Sequence, residues 1–152
     1  MSESIKEKNI TTNRKARHDY HIVQTFEAGI MLVGTEVKAL RQNKASLTDS
    51  YAKIVNNEVW LLNANINVYD HGNINNHEPL RTRKLLLNSR EIRKLKSYTE
   101  QKGYTLIALR LYFKNGKVKV ELGVAKGKKE YDKRETIAKK DAARDYQRKI
   151  KL

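Results

Sequence analysis

Near the end of the chain, Thr105-Leu106-Ile107-Ala108-Leu109-Arg110-Leu111-Tyr112-Phe113 and Lys117-Val118-Lys119-Val120-Glu121-Leu122-Gly123-Val124 flank Asn115-Gly116. Asn-Gly accepts the positive φ values that a two-residue hairpin turn requires. In the first arm Ile107, Leu109, Leu111 and Phe113 alternate with Leu106, Ala108, Arg110 and Tyr112. In the second, Val118, Val120, Leu122 and Val124 alternate with Lys117, Lys119, Glu121 and Gly123. Both series have the two-residue period of a strand. They predict a long antiparallel hairpin, and the rest of the chain supplies strands and helices to pack around it.

A second hairpin is predicted upstream, with Tyr51–Val55 and Glu58–Ile66 joined by Asn56-Asn57. Its alternation places Trp60, Leu62, Ala64 and Ile66 on one face, with Trp60 in the core. Tyr20, Ile22, Gln24 and Phe26 share one side of an earlier strand. Glu27-Ala28-Gly29 interrupts that strand and Ile30–Val33 resumes it. Glycine within a strand marks a bulge or bend, as the corners of a small closed barrel require. Two segments change to helical period. Thr35 caps the first, which turns Val37 and Leu40 inward and Lys38, Arg41 and Lys44 outward. Asn88 with Glu91 forms a capping box for the second, a helix from Ser89 to about Lys102 stopped by Gly103, with Ile92 and Leu95 inward. Strands come early and late rather than alternating with helices, which disfavours a parallel, doubly wound sheet. The expected fold is mainly β with peripheral helices. It is a small antiparallel oligonucleotide-binding-like barrel of about six strands and two to three helices, followed by a basic C-terminal tail.

The organisation read from the 152 residues is a disordered lead over 1–12, one barrel domain over 13–130 and a tail over 131–152. The tail has strong helix formers but only a thin apolar stripe, so it is expected to be disordered alone and helical in an anionic channel. The chain has no cysteine, which excludes disulfides and thiolate metal sites. No apolar run approaches the roughly 20 residues of a membrane span, and the N-terminus lacks a hydrophobic signal region, so the expected location is cytoplasmic. Asp70, His71 and His77 share a polar loop without metal-ligand spacing, and no metal or cofactor is expected. There is no Gly-x-Ser-x-Gly elbow. Gly127-Lys128-Lys129 lacks the rest of a phosphate loop. His18-Asp19-Tyr20-His21 is the one stretch that nuclease chemistry would use; the expectation is a protein that is not an enzyme.

Charge points to the partner. There are 32 Lys and Arg against 17 Asp and Glu, a net of +15. Such an imbalance is relieved by an anionic partner, here nucleic acid. A membrane is not expected, because the basic stretches lack an opposing apolar face. The cations gather at 13–18, at 81–96 and at 126–134. From Lys126 to Leu152 eleven Lys or Arg face five Asp or Glu. A structural ribosomal protein or a general RNA chaperone would share this basicity and this barrel.

Five stretches, in this order, carry a resemblance. They are Asn13-Arg14-Lys15-Ala16-Arg17-His18-Asp19-Tyr20, Phe26-Glu27-Ala28-Gly29-Ile30, Gly34-Thr35-Glu36-Val37-Lys38-Ala39-Leu40-Arg41, Arg81-Thr82-Arg83-Lys84-Leu85-Leu86-Leu87, and Gly123-Val124-Ala125-Lys126-Gly127-Lys128-Lys129 through Asp132-Lys133-Arg134. Together they resemble the small protein B family of bacterial transfer-messenger RNA-binding proteins, also called SsrA-binding proteins. The resemblance implies a non-enzymatic cofactor of trans-translation with an oligonucleotide-binding-type barrel. Such a cofactor binds the tRNA-like domain of transfer-messenger RNA. It enters ribosomes stalled on mRNA without a stop codon and lays its tail in the decoding centre and empty mRNA channel, so that the stalled peptide is tagged for degradation. Elongation factor Tu and alanyl-tRNA synthetase would be partners only indirectly, through the RNA.

The resemblance implies RNA contacts for Asn13, Arg14, Lys15, Arg17, His18, Glu27, Lys38, Arg41, Arg83, Lys84, Lys126, Lys128 and Lys129, with Leu86 supporting that surface by packing. For the decoding centre and the tail it implies Tyr131, Asp132, Lys133, Arg134, Ile137, Lys139, Lys140, Arg144 and Arg148. The family often carries His where this chain has Tyr131. Tyrosine can stack but cannot become cationic at that place.

Overall fold

A computed structural model describes residues 6–70 and 76–127 of the chain. The expected hairpin is its longest feature. β8 (Tyr104–Lys114) and β9 (Lys117–Gly127) pair antiparallel from Tyr104↔Lys126 to Lys114↔Lys117. Asn115 and Gly116 turn between them at φ 51° and 84°. The other strands are β1 (Glu7–Thr12), β2 (Tyr20–Ile30), β3 (Ala45–Ser46), β4 (Tyr51–Val55), β5 (Glu58–Leu62), β6 (Asn65–Ile66) and β7 (Arg83–Leu86). The helices are α1 (Arg14–Asp19), α2 (Gly34–Arg41) and α3 (Ser89–Thr99).

The main sheet runs β1-β8-β4-β5-β7-β2-β9, and β9 pairs back onto β8. Six strands therefore close into an antiparallel ring, which removes the unpaired edges of an open sheet. β3 and β6 form a separate small pair. Phe26, Ala28, Leu61, Leu85, Leu106, Leu111, Leu122 and Val124 fill the barrel core. Burying each of the larger of these side chains contributes about 1.5–3 kcal/mol.

Several local expectations meet a different arrangement. The lead is ordered from Glu7: β1 lies along β8, with Glu7↔Lys114 and Thr12↔Arg110 in register. β2 runs through Glu27-Ala28-Gly29 without a break, and its irregularity lies between Ile22 and Gln24. Gly29 serves close approach instead. A Cβ there would lie 3.2 Å from Leu86 Cβ on β7. Thr35 does not cap α2. The N-cap is Val33, whose amide is taken by the Glu36 carboxylate at 2.9 Å, while Thr35 meets His77. Trp60 is not in the core. Val59 and Leu61 point inward with 0% exposure, so Trp60 between them faces out. Asn63, at φ 60°, then turns the chain so that Ala64 and Ile66 point inward again. The box at Asn88 and Glu91 forms as expected, with both reciprocal bonds, and Leu95 is fully buried.

The two irregularities in the long strands have one effect. Between Ala108 and Arg110, β8 carries an extra residue relative to β9. Leu106, Ala108 and Leu111 consequently face the barrel, while Ile107 and Leu109 face outward. The shift in β2 likewise puts Ile22 outside and Phe26 inside. A one-residue slip exchanges the faces of a strand. The displaced apolar residues build a satellite cluster of Ile107, Leu109, Ala125 and Ile22, which receives Ala16 of α1. Gly123 makes room for it. A Cβ at Gly123 would lie 2.8 Å from Leu109 Cδ1 and 3.3 Å from Ile22 Cγ2. Leu109 is fully buried and cannot swing aside. Gly123→Ala is expected to destabilise the fold by about 1–3 kcal/mol, the range for an overpacked site. The gain of about 0.4–1 kcal/mol from stiffening the unfolded chain does not offset this. A urea midpoint equal to or above that of the parent chain would contradict the prediction.

Candidate nucleic-acid interface

α1 is too short to be stable alone and is held by its cap and its underside. Asn13 is 3% exposed. Its side chain accepts from the Ala16 amide at 3.1 Å and donates to the Leu47 and Ala108 carbonyls at 2.9 and 3.1 Å. Its backbone amide donates to Leu109 at 2.7 Å. Asn13 is therefore the anchor of the helix rather than a surface contact. It presents Arg14, Lys15, Arg17 and His18 on the exposed side.

From Arg17 a chain of contacts crosses the outer face of the barrel. Arg17 meets Glu121 on β9 at 3.0 Å, and Arg110 on β8 lies 3.8 Å from the same carboxylate. Arg110 also pairs with Glu7 at 3.0 Å and stacks on the Tyr112 ring at 3.9 Å. The Tyr112 hydroxyl donates to Glu27 on β2 at 2.6 Å, and Lys114 reaches both Glu27 oxygens at 3.1 and 3.2 Å. The Tyr112 hydrogen bond, aided by Lys114 and Lys119 against a partial burial cost, holds the Glu27 carboxyl below its ordinary range. Burial and the same bond push the Tyr112 phenol up. Glu27 is thus a fixed anion among cations, shaped to accept from the amino group of a base or to hold its neighbours for phosphate. The sequence pattern alone does not mark Arg110, Tyr112, Lys114 and Glu121 as site residues. The available signal was that Arg110, Tyr112 and Glu121 occupy alternate positions of the hairpin.

The cations of the stretch 81–96 do not all reach the surface: Arg90, Arg93, Lys94 and Lys96 are exposed on α3, whereas the strand residue Arg83 is not. Arg83 is completely buried, so it is not a direct RNA contact. It donates to Glu36 at 2.6 Å, to the Ala64 carbonyl at 2.8 Å and to the Pro79 carbonyl at 3.0 Å. Arg81 reaches Glu36 at 2.7 Å. Glu36 is itself fully buried. Burial drives its carboxyl upward, but the Arg81 bond, the Val33 amide and Arg83 outweigh it and the net direction is down. This buried ion network fixes α2, whose outer side carries Lys38, near the Tyr69 ring at 5.6 Å, and the exposed Arg41. Lys84 pairs with Glu58 at 2.6 Å. Leu86, expected to support the surface by packing, is 48% exposed beside Gly29.

Lys126, on β9, lies 5.4 Å from the Tyr104 ring. Lys128, Lys129, Tyr131, Asp132, Lys133, Arg134, Ile137, Lys139, Lys140, Arg144 and Arg148 lie outside the described residues, as does His71. His77 is structural. Its Nε2 donates to the Ile66 carbonyl at 2.8 Å, which leaves Nδ1 to accept from Thr35 at 2.9 Å. Among the described residues no helix is long and apolar enough to cross a membrane.

A closed six-stranded antiparallel barrel with a capped helix and a cation-rich outer face belongs to the oligonucleotide-binding class of architecture. The family model described as SmpB protein matches residues 10–152, and the chain belongs to that family. It is 61% identical over 142 residues to a protein of Acetivibrio thermocellus named SsrA-binding protein, covering 93% of this chain and 92% of that one. A protein of the same name from Alkaliphilus oremlandii is 59% identical over 144 residues, covering 95% and 93%. A solved structure described as "tmRNA-SmpB: a journey to the center of the bacterial ribosome" contains a chain 50% identical to this one, with a TM-score of 0.68. The match covers 78% of this chain and 83% of that chain.

Proposed function

We propose that this chain is the RNA-binding cofactor of trans-translation, acting in the cytoplasm without catalysis of its own. The observation that carries the reading is the 61% identity, over nearly the whole length of both chains, to a protein named SsrA-binding protein. The barrel binds the tRNA-like domain of transfer-messenger RNA. Arg14, Lys15, Arg17 and His18 on α1 take the backbone, and Glu27, Arg110 and Lys114 take the adjoining edge. Lys38, Arg41, Lys84, Lys126, Lys128 and Lys129 add contacts to phosphate. Asn13 and Arg83 act from beneath, by fixing α1 and α2. Elongation factor Tu and alanyl-tRNA synthetase meet the complex through the RNA. The tail, from Tyr131 onward, belongs to the stalled ribosome. Tyr131, Asp132, Lys133 and Arg134 lie at its decoding centre, and Ile137, Lys139, Lys140, Arg144 and Arg148 lie along the empty mRNA channel.

The test is recovery and sequencing of the RNA bound to the purified protein at moderate salt, where non-specific counterion-driven binding weakens. One tRNA-like RNA is expected to dominate, and Glu27→Ala is expected to deplete it. Recovery of bulk ribosomal RNA alone would refute the reading.

A further inference from the structure

The outward turn of Trp60 leaves an aromatic surface that the Glu27 network does not use. In register, Trp60 on β5 lies directly opposite Lys53 on β4 and Lys84 on β7. Its neighbours Val59 and Leu61 point into the core, so these three side chains form one row on the outside of the barrel. Trp60 is half-buried and Lys53 is exposed. Among the described residues no partner takes the indole N–H and no cation lies over the ring. Lys53 is likewise without a partner among them, and Lys84 holds only the half-buried Glu58. A surface pair of that kind is worth little, and Lys84 exchanges it readily for a phosphate.

We propose that this row is a stacking site for one unpaired nucleotide of the RNA assigned above, and the proposal rests on that reading. The indole face takes the base. Lys53 and Lys84, on strands about 10 Å apart across Trp60, take the phosphates on either side. Stacking on an aromatic flanked by cations is how single-stranded RNA is held without base-specific hydrogen bonds. The choice of the same RNA follows from continuity. Lys84 and Leu86 share the outer side of β7, Leu86 abuts Gly29 of β2, and Glu27 lies two residues further along that strand. The row therefore extends the Glu27 side around the barrel. Glu58 is the one carboxylate paired within it, and it disfavours a bare phosphate there unless Lys84 is engaged.

Trp60 is the chain's single tryptophan, so its emission reports on this row alone. Purified full-length protein is titrated with transfer-messenger RNA, following both a gel shift and tryptophan emission. Emission should be quenched to saturation at the midpoint of the shift. Trp60→Ala should weaken binding by about 5- to 150-fold, the span for loss of one stacking aromatic. Trp60→Phe, which keeps an aromatic face and checks the fold, should bind within a few-fold of the parent. Lys53→Gln should lower the salt slope by about one. A full gel shift with unchanged emission and unchanged Trp60→Ala affinity would overturn the site while leaving the RNA-binding function intact. Quenching that needs added ribosomes would overturn it too, by assigning the row to another RNA. Failure of the parent protein to shift the RNA at all would sink both.

Discussion

Glu36→Ala is expected to destabilise the barrel by about 3–5 kcal/mol, the cost of leaving one partner of a buried ion pair uncompensated. Arg83, with 0% side-chain exposure, would keep only the carbonyls of Ala64, Pro79 and Glu78 around its charge. The Val33 amide would lose its cap as well. Against a typical total of about 5–15 kcal/mol for a domain, the loss is a large share of the fold's stability. Arg83→Met removes the charge but strands the carbonyls of Ala64 and Pro79, so it too is costly. The two losses are coupled through one contact. The double variant should therefore be less destabilised than the sum of the singles, by about 0.5–3 kcal/mol. Chemical denaturation of the four proteins measures this, and strict additivity would contradict it.

The same carboxyl predicts a pH dependence. Its native value lies below the ordinary 4.5. As pH falls past that ordinary value, the unfolded chain binds the proton first and the native state loses stability relative to it. The contribution is full above the ordinary value and is lost as pH drops through the lowered one. Glu36→Gln, which cannot titrate, should show a shallower acid decline than the parent. Parallel declines would place the acid sensitivity elsewhere.

The closed barrel was legible in the alternation of the hairpin arms and in the Asn-Gly turn, because local period and turn chemistry agree there. The bulges were not. Ile107, Leu109, Leu111 and Phe113 form one unbroken alternation in sequence, yet the register shift before Arg110 splits them between the satellite cluster and the core. Alternation records which residues share a parity; a single inserted residue changes what that parity faces. The outward position of Trp60 escapes the sequence for a related reason. Val59-Trp60-Leu61-Leu62 is apolar throughout, and only closure of the sheet decides which pair points inward. The site was legible in part. Exposed cations on α1 could be named, but whether Arg83 is a phosphate ligand or a buried strut depends on Glu36, which lies 47 residues away. Asn13 is similar: its motif position marks it as important, whereas its three side-chain bonds say that it acts by holding α1.

Ending the chain after Asp132 is expected to abolish peptide tagging while leaving binding to free transfer-messenger RNA within a few-fold of the parent. The expectation follows from where the contacts lie. Within the described barrel, α1, the Glu27 network and the row beside Trp60 use nothing beyond Gly127. The removed residues carry eight Lys or Arg against three Asp or Glu, so the truncated chain keeps +10 of its +15. Long-range attraction for an RNA backbone falls with that charge, but most of it remains. A modest loss of affinity, larger at low salt than at moderate salt, is therefore the signature of charge alone. In the proposed function, tagging depends instead on the ribosome accepting the complex in place of a codon–anticodon pair, a task given to Tyr131 and the residues after it, of which the truncation removes all from Lys133 onward. A reconstituted assay on stalled ribosomes, run beside a gel shift with the free RNA, separates the two activities. Replacing the removed segment with an unrelated sequence of the same net charge should restore the low-salt affinity and not the tagging. Equal loss of both activities on truncation, or rescue of tagging by charge alone, would refute the division of labour between barrel and tail.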